Sequence, residues 1–157
     1  LTRQTFQERH LVLYNHSGMN VAATYFDRQN QAAPFIVDVK LYWAAFSNPK
    51  EADYVAAILN SETVNAAIKP FQSVGLLGER DIHKKLLELP IPIFNHENPE
   101  HRNIAEIGAN ARKRAAQVLE SGNFPLGSSI GRQRNFMREC LKPELDEIDK
   151  LVSALLD

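Results

Sequence analysis

Residues 35–61 read FIVDVKLYWAAFSNPKEADYVAAILNS, and the spacing of their apolar side chains changes along the stretch. Over the first nine residues, apolar and more polar positions alternate, which is typical of a β-strand with one buried face. Asn48-Pro49 then indicates a helix start, because the asparagine can cap the helix, the proline suits its first turn and Glu51 completes a capping box. The apolar stripe of this helix consists of Val55, Ile58 and Leu59. The stretch therefore predicts a strand that is followed directly by a helix.

Further strands are predicted before this stretch and further helices after it. Residues 10–15 and 21–26 flank the turn-rich residues 16–20, a pattern that favours a β-hairpin. A long helix is expected from about Pro99 to Ser121, since Asn98 can cap it and Gly122 follows its end. Shorter helices are expected after Ser61, near residues 128–138 and after Pro143.

This order of elements predicts an α+β fold. A small strand-rich half with short helices, residues 1–97, is followed by a helical C-terminal arm, residues 98–157, that packs on the first part or extends from it. Because the chain begins at Leu1 rather than at a methionine, we expect it to be a fragment of a larger protein.

Composition and charge restrict the classes of function. The chain has 157 residues and a net charge of −1, from 18 Lys and Arg against 19 Asp and Glu. Proteins that bind DNA without help usually carry a basic excess, so any basic surface here must be local. No apolar run approaches the roughly 20 residues of a membrane-spanning helix. The single cysteine, Cys140, excludes an internal disulfide and indicates a cytoplasmic protein.

Motifs of cofactor-binding and methyl-transferring enzymes are missing from the sequence. There is no G-x-G-x-x-G and no P-loop. Adenine-methylating enzymes typically use Asn-Pro-Pro followed by Tyr or Phe, whereas the Asn-Pro pairs here continue as Asn48-Pro49-Lys50 and Asn98-Pro99-Glu100. Both pairs are explained as helix starts. We therefore expect this chain alone to be no enzyme and to bind no cofactor.

One pattern resembles the metal site of a nuclease. Asp27 together with Asp38 and Lys40 imitates an acid…acid-x-Lys arrangement, in which two carboxylates hold Mg²⁺ and a lysine stabilises charge at a phosphodiester. On the predicted strand, Asp38 and Lys40 share a face. Such a pair is also common on a solvated strand, so a metal-dependent nuclease is the least favoured interpretation. The histidines show no spacing that favours metal binding, and no metal site is expected.

The segment from Gly75 to Lys85, GLLGERDIHKK, combines a flexible backbone with clustered charge. Two glycines, Gly75 and Gly78, allow the chain to bend and to approach another surface closely. The cations that follow could contact phosphates or a guanine edge; they are Arg80, His83, Lys84 and Lys85. The alternative, a turn followed by a solvated basic helix, remains open from composition alone.

Three short segments in a fixed order carry a resemblance to a known family. They are AAILNS at residues 56–61, GLLGERDIHK at residues 75–84 and LPIP at residues 89–92, with VDVKLY at residues 37–42 upstream. In this order they resemble the C-terminal target-recognition (specificity) domain of Taq-type adenine-specific DNA methyltransferases and restriction-modification proteins. They are more distantly similar to type I restriction specificity subunits. The resemblance covers roughly residues 10–120.

The resemblance implies a non-catalytic DNA target-recognition domain of a bacterial enzyme of this kind. It implies double-stranded DNA and the catalytic methyltransferase or endonuclease domain of the parent chain as partners, with S-adenosylmethionine bound by that missing domain. By carry-over, the DNA contacts are expected in residues 75–85, at the glycines and cations named above. Apart from the resemblance, the C-terminal arm offers a second basic set at Arg132, Arg134 and Arg138, with Arg112, Lys113 and Arg114 on the preceding helix. These side chains either follow a phosphate backbone or merely flank a packed stripe of Ile130, Met137 and Leu141.

The main alternative is a helical assembly module of such a complex. The apolar stripes of the helices at residues 99–121 and 143–156 motivate it, since they could pair with the catalytic domain or form a homodimer, although burial within one fold explains them equally well.

Overall fold

The computed structural model describes residues 8–31, 33, 35–75, 78–79, 81–82, 86 and 88–156, with the backbone alone at 74–75 and 78–79. These residues form an α+β fold: a small antiparallel sheet covered by helices. None of the helices in the described part of the chain is both long and apolar enough to cross a membrane.

The sheet has three strands, with β1 (His10–Asn15) between β2 (Ala23–Asp27) and β3 (Leu41–Phe46). Both neighbours pair with β1 in antiparallel fashion, so the predicted hairpin between the first two strands is confirmed. Five consecutive residues of β1 are buried, because helices cover one face of this central strand and a loop covers the other.

The predicted strand at residues 35–44 is wrong in its first half, because the strand begins only at Leu41. The Asp38 carboxylate accepts a hydrogen bond from the Val39 N–H at 2.6 Å, and the Leu41 N–H donates to the Asp38 carbonyl at 3.1 Å. These local bonds favour a turn over a strand. Phe35 and Val37 still reach the sheet, where they pack against Leu11, Leu13, Phe26 and Trp43.

Two helices follow the sheet, α1 (Pro49–Asn60) and α2 (Glu62–Ile68), and three form the C-terminal part, α3 (Pro99–Glu120), α4 (Ile130–Cys140) and α5 (Lys142–Leu156). The predicted helix starts are confirmed. The side-chain oxygens of Asn48, Ser61 and Asn98 each accept a hydrogen bond from a backbone N–H in the first turn. Each cap satisfies a donor that the helix itself leaves unpaired.

A single cluster of buried residues contains side chains from the sheet, α1, α2, α3 and α5. Ile104 and Ile107 from α3 and Ile148 and Val152 from α5 are all buried in this cluster. The stripes that suggested an assembly module therefore have an internal explanation. Helices α1 and α3 approach closely at Gly108, where a Cβ atom would lie 2.7 Å from the Asp53 carbonyl oxygen.

Candidate nucleic-acid interface

The connection between β1 and β2 is held by asparagine side chains. The Asn60 amide accepts from the Ala23 N–H at 2.9 Å and donates to the Ala23 carbonyl at 2.8 Å. The fully buried Asn65 accepts from the Val21 N–H at 2.7 Å. Asn15 accepts from the Ala22 N–H at 2.7 Å. These bonds satisfy backbone groups that no strand pairs with, and they fix the path of the connection.

The Asn-Ser residues of the AAILNS segment thus have a physical role. Asn60 ends α1 and bonds to β2, while Ser61 is fully buried and caps α2 through the Val64 N–H at 3.2 Å. The Asn65 amide donates in turn to the Ser61 carbonyl at 2.8 Å. The segment joins two helices and anchors the strand connection beside them.

Residues 16–20 form the tip of this connection, which we call the Ser17 turn. Gly18 has φ of +141°, a conformation that side chains other than glycine rarely adopt. The Asn15 side chain donates to the Ser17 carbonyl at 2.9 Å and to the Asn20 carbonyl at 3.1 Å, which closes the turn from inside.

The Ser17 turn lies against the glycine segment that the sequence singled out. Short strands β4 (Val74–Gly75) and β5 (Gly78–Glu79) pair so that Gly75 lies opposite Gly78. We call this unit the glycine hairpin. Directly after it, Asp81 forms a β-bridge with Ser17, and the Ile82 N–H donates to the His16 carbonyl at 2.9 Å. The side chain of Gln72, just before the hairpin, donates to the Gly18 carbonyl at 3.2 Å.

The same turn also contacts helix α4. The Arg134 Nη1 atom donates to the Ser17 carbonyl at 3.1 Å. A Cβ atom at Gly18 would lie only 2.6 Å from that Nη1 atom, so glycine is what leaves room for the guanidinium. The Ser17 turn therefore contacts Asp81 and Ile82, which follow the glycine hairpin, and Arg134 of α4.

Only some of the predicted DNA contacts lie in the part of the chain that the structure describes. Four of them lie outside the described residues: Arg80, His83, Lys84 and Lys85. Of the secondary set, Arg134 contacts the Ser17 turn, and Arg138 approaches the Glu62 carboxylate at 3.8 Å, a distance typical of a weak exposed ion pair. Arg132 is exposed, and the described residues include no acidic partner within ion-pair distance of it.

Two arginines of the α3 group have structural roles instead. Arg112 forms a two-point ion pair with Asp53 at 2.8 and 3.0 Å, and the Asp53 side chain is only 8% exposed. The hydrogen bonds that Arg112 donates to Asp53 raise the pKa of Arg112, whose guanidinium also lies over the Tyr25 ring at 4.8 Å from the centroid. Arg114 donates to the Cys140 carbonyl at 2.9 Å. These contacts hold α3 against α1 and the C-terminal helices.

A cleft of about 560 Å³ opens beside the Ser17 turn, between β2, α1, α3 and α4. Within the described part of the chain, its lining includes three arginines, Arg112, Arg134 and Arg138, and one carboxylate, Asp53, which already pairs with Arg112. The cleft is therefore locally basic although the chain is not. Sequence patterns missed it, because the small residues that make the space lie far apart in the chain, among them Ala22, Ala57, Gly108 and Ala115.

The nuclease pattern does not assemble into a metal site. Asp27 binds Arg9 through both carboxylate oxygens, at 2.9 to 3.2 Å, and the hydrogen bond from Arg9 lowers the pKa of Asp27. Asp38 precedes a turn and Lys40 lies within it, so the two residues do not share a strand face, contrary to the prediction. Among the described residues, no group of three or more His, Cys, Asp or Glu side chains could hold a metal ion.

Two of the histidines make structural contacts that account for them. The buried His101 accepts from the Asn95 N–H through Nδ1 at 3.0 Å and stacks on Tyr54. His16, in the Ser17 turn, stacks on Tyr42 with ring centroids 5.3 Å apart.

Comparisons with protein-family models found no matching family. No curated protein and no solved structure matched the chain either. What supports a function is therefore the chain's own residues: the Ser17 turn, the glycine hairpin and the arginines of α4.

Proposed function

We propose that this chain is a non-catalytic DNA target-recognition domain of a bacterial, cytoplasmic adenine-specific DNA methyltransferase or restriction-modification enzyme. Its partners are double-stranded DNA and the catalytic domain of the parent chain. S-adenosylmethionine binds to that catalytic domain, where the methyl transfer takes place.

The observation that carries this proposal is the hydrogen bond between Arg134 and Ser17. It places Arg134 of α4 at the same turn that bridges to Asp81, so α4 and the segment from Gly75 to Lys85 both reach the Ser17 turn. The locally basic cleft lies beside them. In this proposal, the α4 arginines and the cations of residues 80–85 together give a chain of net charge −1 a positive face for a polyanion.

The proposed mechanism divides the work between two groups of residues. Arginines of α4 contact phosphates and set the position of the duplex, which gives affinity without reading sequence. The glycine hairpin lets the backbone approach the DNA closely, and the side chains after it read base edges in the major groove. The asparagine bonds to Ala23 and Val21 keep the Ser17 turn rigid while DNA binds.

The test is fluorescence anisotropy of a labelled duplex of mixed sequence, measured between about 50 and 200 mM salt. We expect wild-type binding to weaken steeply with salt. Arg134→Gln should weaken it about 3- to 10-fold and lower the salt slope by about one, as loss of a phosphate contact does. Arg80→Ala and Lys84→Ala test the glycine segment in the same way.

Lys150→Gln is the matched control, because Lys150 is an exposed cation on α5. It removes the same charge at a different place. Absence of DNA binding at the lowest salt, or equal weakening by Arg134→Gln and Lys150→Gln, would refute the proposed surface.

A further inference from the structure

The outer edge of strand β3 carries backbone groups that have no partner among the described residues. His16 donates to the Lys40 carbonyl at 3.1 Å, and the register continues with Tyr14 opposite Tyr42. Even-numbered residues of β3 therefore bond to β1, and the N–H and C=O groups of Trp43 and Ala45 point away from the sheet. No described loop or helix forms a hydrogen bond with them.

The two edge strands of the sheet, β2 and β3, differ in how their outer backbone groups are protected. On β2, the Asn60 amide occupies both backbone groups of Ala23 and so blocks the edge. Strand β3, LYWAAF, has no proline and no charged residue, which are the usual means of protecting an edge strand. Apolar side chains at the first residue of β3 and in the preceding segment are also exposed: Leu41 by 36%, Val39 by 77% and Ile36 by 51%.

We propose that β3 pairs with β3 of a second copy of this chain, in antiparallel fashion about a two-fold axis. The backbone groups that remain available on β3 determine how the two strands align. The Leu41 N–H is already bonded to the Asp38 carbonyl, so Trp43 and Ala45 supply the free donors. Both are used when Trp43 of each copy lies opposite Ala45 of the other, which places Ala44 on the axis.

A second copy is the occupant that the chemistry of the edge favours. In an isologous contact the same strand is used by both copies, so that Trp43 meets Ala45 twice, and an uncharged strand meets itself without like-charge repulsion. In the proposed register the large Trp43 side chain of each copy lies opposite the small Ala45 side chain of the other, which leaves room for the tryptophan.

The interface is small. A pair of six-residue strands buries on the order of 1,000 Å² at most, near the lower limit of specific interfaces. The dimer should therefore be weak and form in the micromolar range or above.

Sedimentation velocity over about 1 to 300 µM protein covers the expected range of dissociation constants. The wild type should shift from monomer to dimer, whereas Ala45→Lys should remain monomeric, because a cation at the open edge opposes pairing. Leu126→Lys is the control, since Leu126 is 76% exposed and lies outside β3. It should dimerise like the wild type. A monomeric wild type, or identical association of the two variants, would overturn the proposal.

Two further measurements use only the wild-type protein, so they do not require that a variant folds. Trp43 is the only tryptophan in the chain, so its emission should shift to shorter wavelength as the concentration rises. The amides of Trp43 and Ala45 should exchange slowly with solvent at high concentration and fast on dilution. Emission and exchange that are independent of concentration would also overturn the pairing.

Discussion

Replacing Asn60 by alanine tests how the Ser17 turn is positioned. The Asn60 side chain makes three hydrogen bonds to backbone: it accepts from the Ala23 N–H at 2.9 Å and donates to the carbonyls of Ala23 and Ala56 at 2.8 and 2.9 Å. Each such bond contributes about 0.5–1.5 kcal/mol net, and an unsatisfied, partly buried group costs about 1–3 kcal/mol. Since Asn60 is half-buried and water can reach some of the vacated groups, we expect Asn60→Ala to lower the free energy of unfolding by about 2–4 kcal/mol.

The assay is urea denaturation followed by far-ultraviolet circular dichroism. The denaturation midpoint should fall while the slope stays unchanged, because the variant alters stability and not the surface exposed on unfolding. Asn110→Ala is the matched control: Asn110 is exposed on α3, and alanine favours a helix, so this variant should be neutral or slightly stabilising. A loss below about 1 kcal/mol in Asn60→Ala would refute the argument that this amide holds β2 and the turn.

Three further predictions concern the helix contact, the buried ion pair and pH. Gly108→Ala should destabilise the fold by about 1–3 kcal/mol in urea denaturation, since a Cβ atom 2.7 Å from the Asp53 carbonyl forces α1 and α3 apart; a gain in stability would contradict it. Arg112→Met should lower the free energy of unfolding by about 2–3 kcal/mol, because it leaves the Asp53 carboxylate unpaired; this figure is reduced for solvent screening, since the Arg112 side chain is 36% exposed. When Asp53 is already replaced by asparagine, Arg112→Met should cost much less. Equal costs with and without Asp53→Asn would contradict a coupling between the two side chains. Arg9→Gln should raise the pKa of Asp27 towards its ordinary value of about 4 in a carboxyl NMR titration. Because pairing lowers the folded-state pKa of Asp27, its stabilising effect is present above about pH 4 and is lost as the pH falls through the folded pKa; an unchanged titration would contradict this.

The fold class and the helix starts could be read from the sequence by itself. A capping side chain acts on N–H groups two or three residues away, so Asn48, Ser61 and Asn98 indicate their helices whatever surrounds them. Period-two patterning is less decisive. At residues 35–40 it predicted a strand, but the local hydrogen bonds of Asp38 produce a turn, and the strand begins only where β1 offers a partner at Leu41.

The candidate surface was decided by the tertiary structure. The sequence identified the glycine segment and the α4 arginines as separate basic clusters, yet Arg134 and Ser17 are 117 residues apart and meet only because α4 packs beside the β1–β2 connection. In the same way, sequence placed Arg112 among possible DNA contacts, whereas packing of α3 on α1 gives it Asp53 as a partner. Local hydrogen bonds depend on neighbours in the chain, but a cleft, a buried ion pair and an open strand edge depend on which surfaces the core brings together.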